Sequence, residues 1–136
     1  EAFKEHSSYS SAAFIQHCVK RFPYAIECVQ TDNGPEFTNR LNPQCSDKKT
    51  HFEVTLEQLC IRHKLIKPYT PRHNGKVERQ HREDGKRFYS KLRMYSLEDG
   101  RKQIAAYNKR SNSIPKVCLK FKSPNEMLED HLSVMW

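Results

Sequence analysis

An α/β domain is predicted from the order of segments along the chain. Stretches with helical spacing alternate with two short runs suited to strands, and Pro, Asn and Gly punctuate the joints. At 136 residues the chain has the length of one domain. Two parallel strands are a poor core for the helices around them, so the sequence reads as the second half of a larger α/β domain.

The elements follow in order. Residues 7–22 form a helix, capped by Ser7 or Ser8 and stopped by Pro23, with Phe14, Ile15, Cys18, Val19 and Phe22 at helical spacing. Ala25 to Thr31 is a short strand that leaves Asp32 at its C-terminal edge. Residues 38–50 are polar and read as a loop or insertion. Phe52 to His63 returns to helical spacing through Phe52, Leu56, Leu59 and Cys60. Residues 64–67 are expected to be a second strand, ended by Pro68. Asn74 is placed to cap a long helix running to about Tyr95, with Val77, Phe88, Leu92 and Tyr95 as its apolar stripe. Ser96 caps a further helix to about Ser111. A connection over 112–126 leads to a last helical turn at Pro124–Leu128.

Composition narrows the function classes. The net charge is +8 and the pI about 9.3, a balance that favours a polyanionic partner, of which nucleic acid is the usual one. Mean hydropathy is −0.90, and no apolar run approaches the roughly 20 residues that span a bilayer. The N-terminus has no signal-peptide pattern, so a cytosolic location without a membrane partner is expected. The five cysteines are scattered, with no Cys-x-x-Cys. That argues against a disulfide framework and a zinc ribbon.

Two loop-anchored motifs carry the chemistry. The first is Gln30-Thr31-Asp32-Asn33-Gly34-Pro35-Glu36-Phe37, and the second is Pro71-Arg72-His73-Asn74-Gly75-Lys76-Val77-Glu78-Arg79. Asp32 is expected at a strand end and Glu78 in a first helical turn. Phosphodiester cleavage or transfer needs an attacking oxygen activated and a leaving oxygen stabilised, work that two divalent cations held by carboxylates perform. Mg²⁺ takes oxygen ligands and keeps several waters, so two or three Asp or Glu suffice. Bland readings stand beside this one. Asp-Asn-Gly is an ordinary turn, and a Glu in a first turn complements the helix dipole. Lys76, Arg79 and Arg82 follow helical spacing beside Glu78, either as phosphate contacts or as a solvated basic face. Lys64 and Lys67 flank the second strand. Tyr69, His73 and Asn74 precede Glu78, as DNA contacts or as turn formers.

Those two motifs, with Tyr69-Thr70 ahead of the second, resemble the integrase-type catalytic core of bacterial insertion-sequence transposases. These are the IS3- and IS481-like DDE enzymes, akin to retroviral integrases. Tyr107-Asn108-Lys109-Arg110 and Lys122-Ser123-Pro124-Asn125-Glu126 resemble the region after that core. The resemblance implies an RNase H-like fold and metal-dependent strand transfer, using two Mg²⁺ or Mn²⁺ ions in the complete enzyme. It further implies DNA as partner (transposon ends and target) and a homo-oligomer. It makes Asp32 the second and Glu78 the third catalytic, metal-binding carboxylate; Lys64, Lys67, Tyr69, His73, Asn74, Lys76, Arg79 and Arg82 stand as candidate DNA contacts from the residue reading above. The 45 residues between the carboxylates exceed the family's usual spacing, and the polar stretch 38–50 accommodates the excess.

One departure is larger. The family's first Asp lies on an earlier strand, and no Asp precedes Asp32 here. The expectation is an incomplete sheet lacking its first three strands, with residues 1–112 as the C-terminal part of the core and 113–136 as a tail. Such a fragment would be inactive alone. The reading from another class is a non-catalytic DNA-binding or assembly module, indifferent to loss of Asp32 and Glu78. A nuclease of the same fold would use the same carboxylates.

Overall fold

The computed structural model describes residues 1–67 and 75–134. The chain divides into two compact units, one of Phe3–Arg87 and one of Phe88–Trp136 with Glu1–Ala2.

In the first unit, helix α1 (Ser8–Arg21) begins where the Ser7 side chain accepts from Ser10 N–H. Strand β1 (Cys28–Thr31) follows, then helix α2 (His51–Gln58) and strand β2 (Arg62–Leu65). The two strands pair in parallel, with Cys28 opposite Arg62 and Thr31 opposite Leu65. Among the described residues these are the whole sheet. Ile15 of α1, Phe52 and Leu56 of α2, and Ile61 form the core, with Cys18, Ile26, Val29, Phe37 and Leu59 packed around it. Each buried aliphatic or aromatic side chain there contributes about 2 kcal/mol. α2 starts with a capping box: Thr50 accepts from Glu53 N–H while the Glu53 carboxylate accepts from Thr50 N–H. The Thr50 hydroxyl also donates to Phe37 O, which ties the loop to the helix.

The stretch 38–50 is a loop, as its composition predicts. It is built from consecutive turns at Asn39–Asn42, Asn42–Cys45 and Cys45–Lys48, and closed by Asn39 Nδ2 donating to Lys48 O.

Several boundaries differ from the sequence expectation. β1 is shorter than 25–31, because pairing with β2 starts only where Arg62 N–H reaches Glu27 O. α2 stops at Gln58 instead of His63, and β2 accordingly spans 62–65 instead of 64–67. The cause is Cys60, whose φ of 55° is left-handed. Cys60 N–H donates to Glu57 O and Ile61 N–H to Leu56 O, the paired bonds of a Schellman ending. Apolar packing of Ile61 with Leu56 in the core completes it. Helix α3 (Gly75–Arg87) stops well short of Tyr95. Phe88 leaves the helical conformation, with φ −128° and ψ −63°, and stacks on Tyr107 with ring centroids 4.5 Å apart. The expected apolar stripe is therefore not one helix face: Val77 is exposed and Tyr95 is 88% exposed.

The second unit holds helices α4 (Leu97–Ser113) and α5 (Pro124–Val134), joined by a tight turn with a 3₁₀ segment at Val117–Leu119. Ser96 caps α4 by accepting from Asp99 N–H. α5 is a full helix instead of a last turn. Ser123 and Glu126 cap it reciprocally, Ser123 N–H donating to the Glu126 carboxylate at 2.7 Å. That contact and the Ser123 hydroxyl hold the Glu126 carboxyl below its ordinary range.

Left-handed backbone costs a non-glycine residue about 1–2 kcal/mol. Cys60 is exposed, so glycine removes that cost and little packing. Cys60→Gly is expected to raise stability by about 1 kcal/mol in urea unfolding; a decrease would contradict the helix-stop assignment.

Candidate active site

Asp32 follows the last residue of β1, at the strand end where α/β sheets place ligands. Its carboxylate is exposed, and Oδ1 accepts from Gly34 N–H at 3.1 Å, an Asx turn. Asn33 Nδ2 donates to Ile66 O at 2.9 Å, just past the end of β2. Ile66 N–H donates to Thr31 O at 3.0 Å. Asp32 is thus flanked by two hydrogen bonds that fix its backbone to the neighbouring strand.

Beneath it, the Thr31 hydroxyl donates to Asp32 O at 2.9 Å and lies 2.8 Å from His63 Nε2. With the hydroxyl proton so used, Thr31 Oγ1 is free to accept from Nε2 in the tautomer that carries the proton there. The His63 ring packs edge-on against Phe52, with centroids 5.5 Å apart. Burial pushes its pKa down, against a weaker upward pull from Glu53.

Glu36 folds back under the turn. Its side chain is only 10% exposed, and Oε1 pairs with His6 Nε2 at 2.9 Å. A Cβ on Gly34 would lie 2.6–2.8 Å from the Glu36 carboxylate atoms, so the end of that side chain would have to move aside. Gly34 O accepts from Phe37 and Thr38 N–H and closes the turn.

Glu78 lies in the first turn of α3 and is exposed, as are Lys76, Arg79 and Arg82. Glu83 is engaged with Arg87 at 3.2 Å. Lys64 and Lys67 are exposed, on and just beyond β2. Tyr69, His73 and Asn74 lie outside the described residues. Strand pairing therefore brings Thr31 and His63 together next to Asp32, with Lys64 on the other face of β2, while Glu78, Lys76, Arg79 and Arg82 share α3. Among the described residues no three His, Cys, Asp or Glu side chains are grouped to hold a metal ion. The carboxylates suit a hard divalent cation in kind, but Asp32 and Glu78 are too few to hold a pair of such cations. No described helix is long and apolar enough to cross a membrane.

Sequence reasoning did not find the Asn33 tether, the Thr31–His63 pair or the Glu36–His6 pair. Asn33 was open to discovery as an amide beside a strand-end Asp. The other two join residues far apart in sequence, and only the fold brings them together.

The fold is the one seen in integrase catalytic cores, RNase H-like in architecture. The chain superposes on the catalytic core domain of BIV integrase with a TM-score of 0.62 and 21% identity, covering 99% of this chain and 79% of that one. It matches a chain of the simian T-cell lymphotropic virus intasome, solved in complex with PP2A regulatory subunit B56 gamma, with a TM-score of 0.61 and 18% identity. That match covers 93% of this chain and 41% of the other. Residues 59–114 match the integrase core domain family. The ORF3 protein of Spiroplasma virus SpV1-C74, described as an integrase, is 41% identical over 69 residues, which are 49% of this chain and 19% of that relative. The matched stretch thus spans about a fifth of the curated relative's length.

Two outcomes follow from the geometry. His63 has a lowered folded pKa, so the unfolded chain takes up the proton first as pH falls. Its contribution to stability is complete above the ordinary value of 6.5 and is lost as pH drops through the lowered folded value. Urea unfolding between pH 7.5 and 5 is expected to show stability declining with pH, and declining less in His63→Gln; equal slopes would exclude this linkage. Gly34→Ala displaces the flexible end of the Glu36 side chain from its pairing with His6 and is expected to cost about 1 kcal/mol or less. The penalty should largely vanish in a Glu36→Ser background, and a full penalty there would place its origin elsewhere.

Proposed function

We propose that this chain is part of a DNA integrase or transposase catalytic core, of the kind seen in bacterial insertion sequences, that cleaves and joins phosphodiesters. The observation that carries the reading is the exposed Asp32 carboxylate, held at the C-terminal end of β1 by an Asx turn and the Asn33 tether. Asp32 and Glu78 act as cation ligands. Bound Mg²⁺ or Mn²⁺, two ions in the complete enzyme, would supply charge stabilisation at the attacking and leaving oxygens. Lys64, Lys67, Lys76, Arg79 and Arg82 hold phosphates, and Tyr69, His73 and Asn74 contact a DNA end. The partners are transposon-end and target DNA and further copies of the chain.

Two carboxylates hold two cations poorly, so a further donor has to come from outside the described residues. The isolated chain is therefore inactive on this reading. The incomplete donor set also favours a second reading, a DNA-binding or assembly module without catalysis.

A nicking and strand-transfer assay with Mn²⁺ separates them. It compares the chain, Asp32→Ala, Glu78→Ala, and the chain complemented with the preceding strands of an integrase core bearing the first carboxylate. The expected outcome is activity only in the complemented form, lost by at least about a hundredfold on removing either Asp32 or Glu78. Cleavage by the chain alone that depends on Asp32 would refute its inactivity. A complemented form that binds DNA in a salt-dependent way yet never cleaves would support the second reading.

A further inference from the structure

The turn between α4 and α5 is built in a way its length does not require. Lys116 and Lys122 face each other in an antiparallel bridge, with Lys116 N–H donating to Lys122 O at 3.0 Å. Inside that bridge, Leu119, Lys120, Phe121 and Lys122 N–H all find carbonyl partners within the turn. Closing it places two consecutive non-glycine residues, Lys120 and Phe121, in left-handed backbone, at φ 54° and 63°. A bulky residue at such φ is an outlier that needs a reason.

The result is an aromatic on display. Phe121 is 72% exposed and Val117 76% exposed. The segment Lys116-Val117-Cys118-Leu119-Lys120-Phe121-Lys122 interleaves three lysines with apolar residues and contains no acidic one. Two carboxylates of α5 that act on Lys122 are engaged: Asp130 pairs with Lys122, and Glu126 accepts from Ser123 N–H. A phenyl face flanked by cations matches a single-stranded polyanion whose bases are free to stack. An apolar protein partner gains little from the lysines, and the chain's charge of +8 points the same way.

We propose that the Lys116–Lys122 turn is a single-strand contact, in which Phe121 stacks on an unpaired base and Lys116 and Lys120 hold the phosphates beside it. The proposal rests on the DNA reading above and adds a contact for unstacked nucleotides on the second unit.

The test measures binding of the whole chain to a labelled oligo(dT) and to a blunt duplex by fluorescence anisotropy, across a salt series. Phe121→Ala is expected to weaken oligo(dT) binding about tenfold and duplex binding far less. Phe121→Tyr should restore it. Lys120→Gly removes a charge while relieving the backbone, so loss of folding does not explain its effect. It is expected to weaken binding to both DNAs and reduce the oligo(dT) salt slope by about 0.7. Oligo(dT) affinity within twofold of wild type in Phe121→Ala would overturn the proposal. If Lys76→Ala/Arg79→Ala/Arg82→Ala loses DNA binding while Phe121→Ala keeps it, the turn assignment fails and the DNA reading stands. If the wild-type chain binds neither DNA, both fail. A Phe121-dependent association with anionic vesicles or with a second copy, without an effect on oligo(dT), would likewise overturn it.

Discussion

Where α2 stops decides what the first unit can be. A parallel strand pair needs a crossover that returns the chain to the sheet in register. Here the return takes place within three residues of the helix end. Left-handed Cys60 turns the backbone, Ile61 drops back onto Leu56, and Arg62 N–H immediately finds Glu27 O. Had α2 continued to His63, the pairing of Arg62 and His63 with β1 would be lost. His63 would then no longer lie against Thr31, and Ile66 would no longer anchor Asn33. One strained residue thus fixes the register from which the Asp32 turn is assembled.

That turn is rigid for reasons that differ along its length. Asn33 reaches across to β2, Asp32 closes on Gly34, and Glu36 occupies the space that a side chain at 34 would need. A nearly buried carboxylate is costly unless paired, and His6 supplies the pairing. Asp32 itself stays exposed. On the proposed reading this suits a cation ligand, since the backbone is fixed while the residue stays exposed.

How much of this was legible in the sequence follows from the range of each interaction. Helix α1, its Ser7 cap and the Ser96 cap of α4 rest on neighbours in sequence, and local pattern located them. The two motifs flagged Asp32 and Glu78, because turn chemistry and charge are local too. The end of α2 escaped because Cys60 carries none of the usual stop signals; a glycine there would have announced the turn. The end of α3 escaped because Phe88 stacks on Tyr107, a contact 19 positions away that outweighs helical spacing. The polar pairs under Asp32 were invisible for the same reason: Thr31 and His63 become neighbours only through strand register.

The described non-glycine residues with positive φ occur in just two places, and they serve opposite ends. At Cys60 the strain is local, and the apolar contact it makes possible between Ile61 and Leu56 lies in the core, so burial offsets its cost. At Lys120 and Phe121 no comparable burial is present, because Phe121 is turned outward. A fold gains nothing from holding an exposed phenyl ring by two unfavourable backbone conformations, each costing about 1–2 kcal/mol, when a glycine would close the same turn freely. Strain without compensating packing is what a surface shaped for a partner leaves behind, and here the lysines beside the ring set the sign of charge that partner must carry.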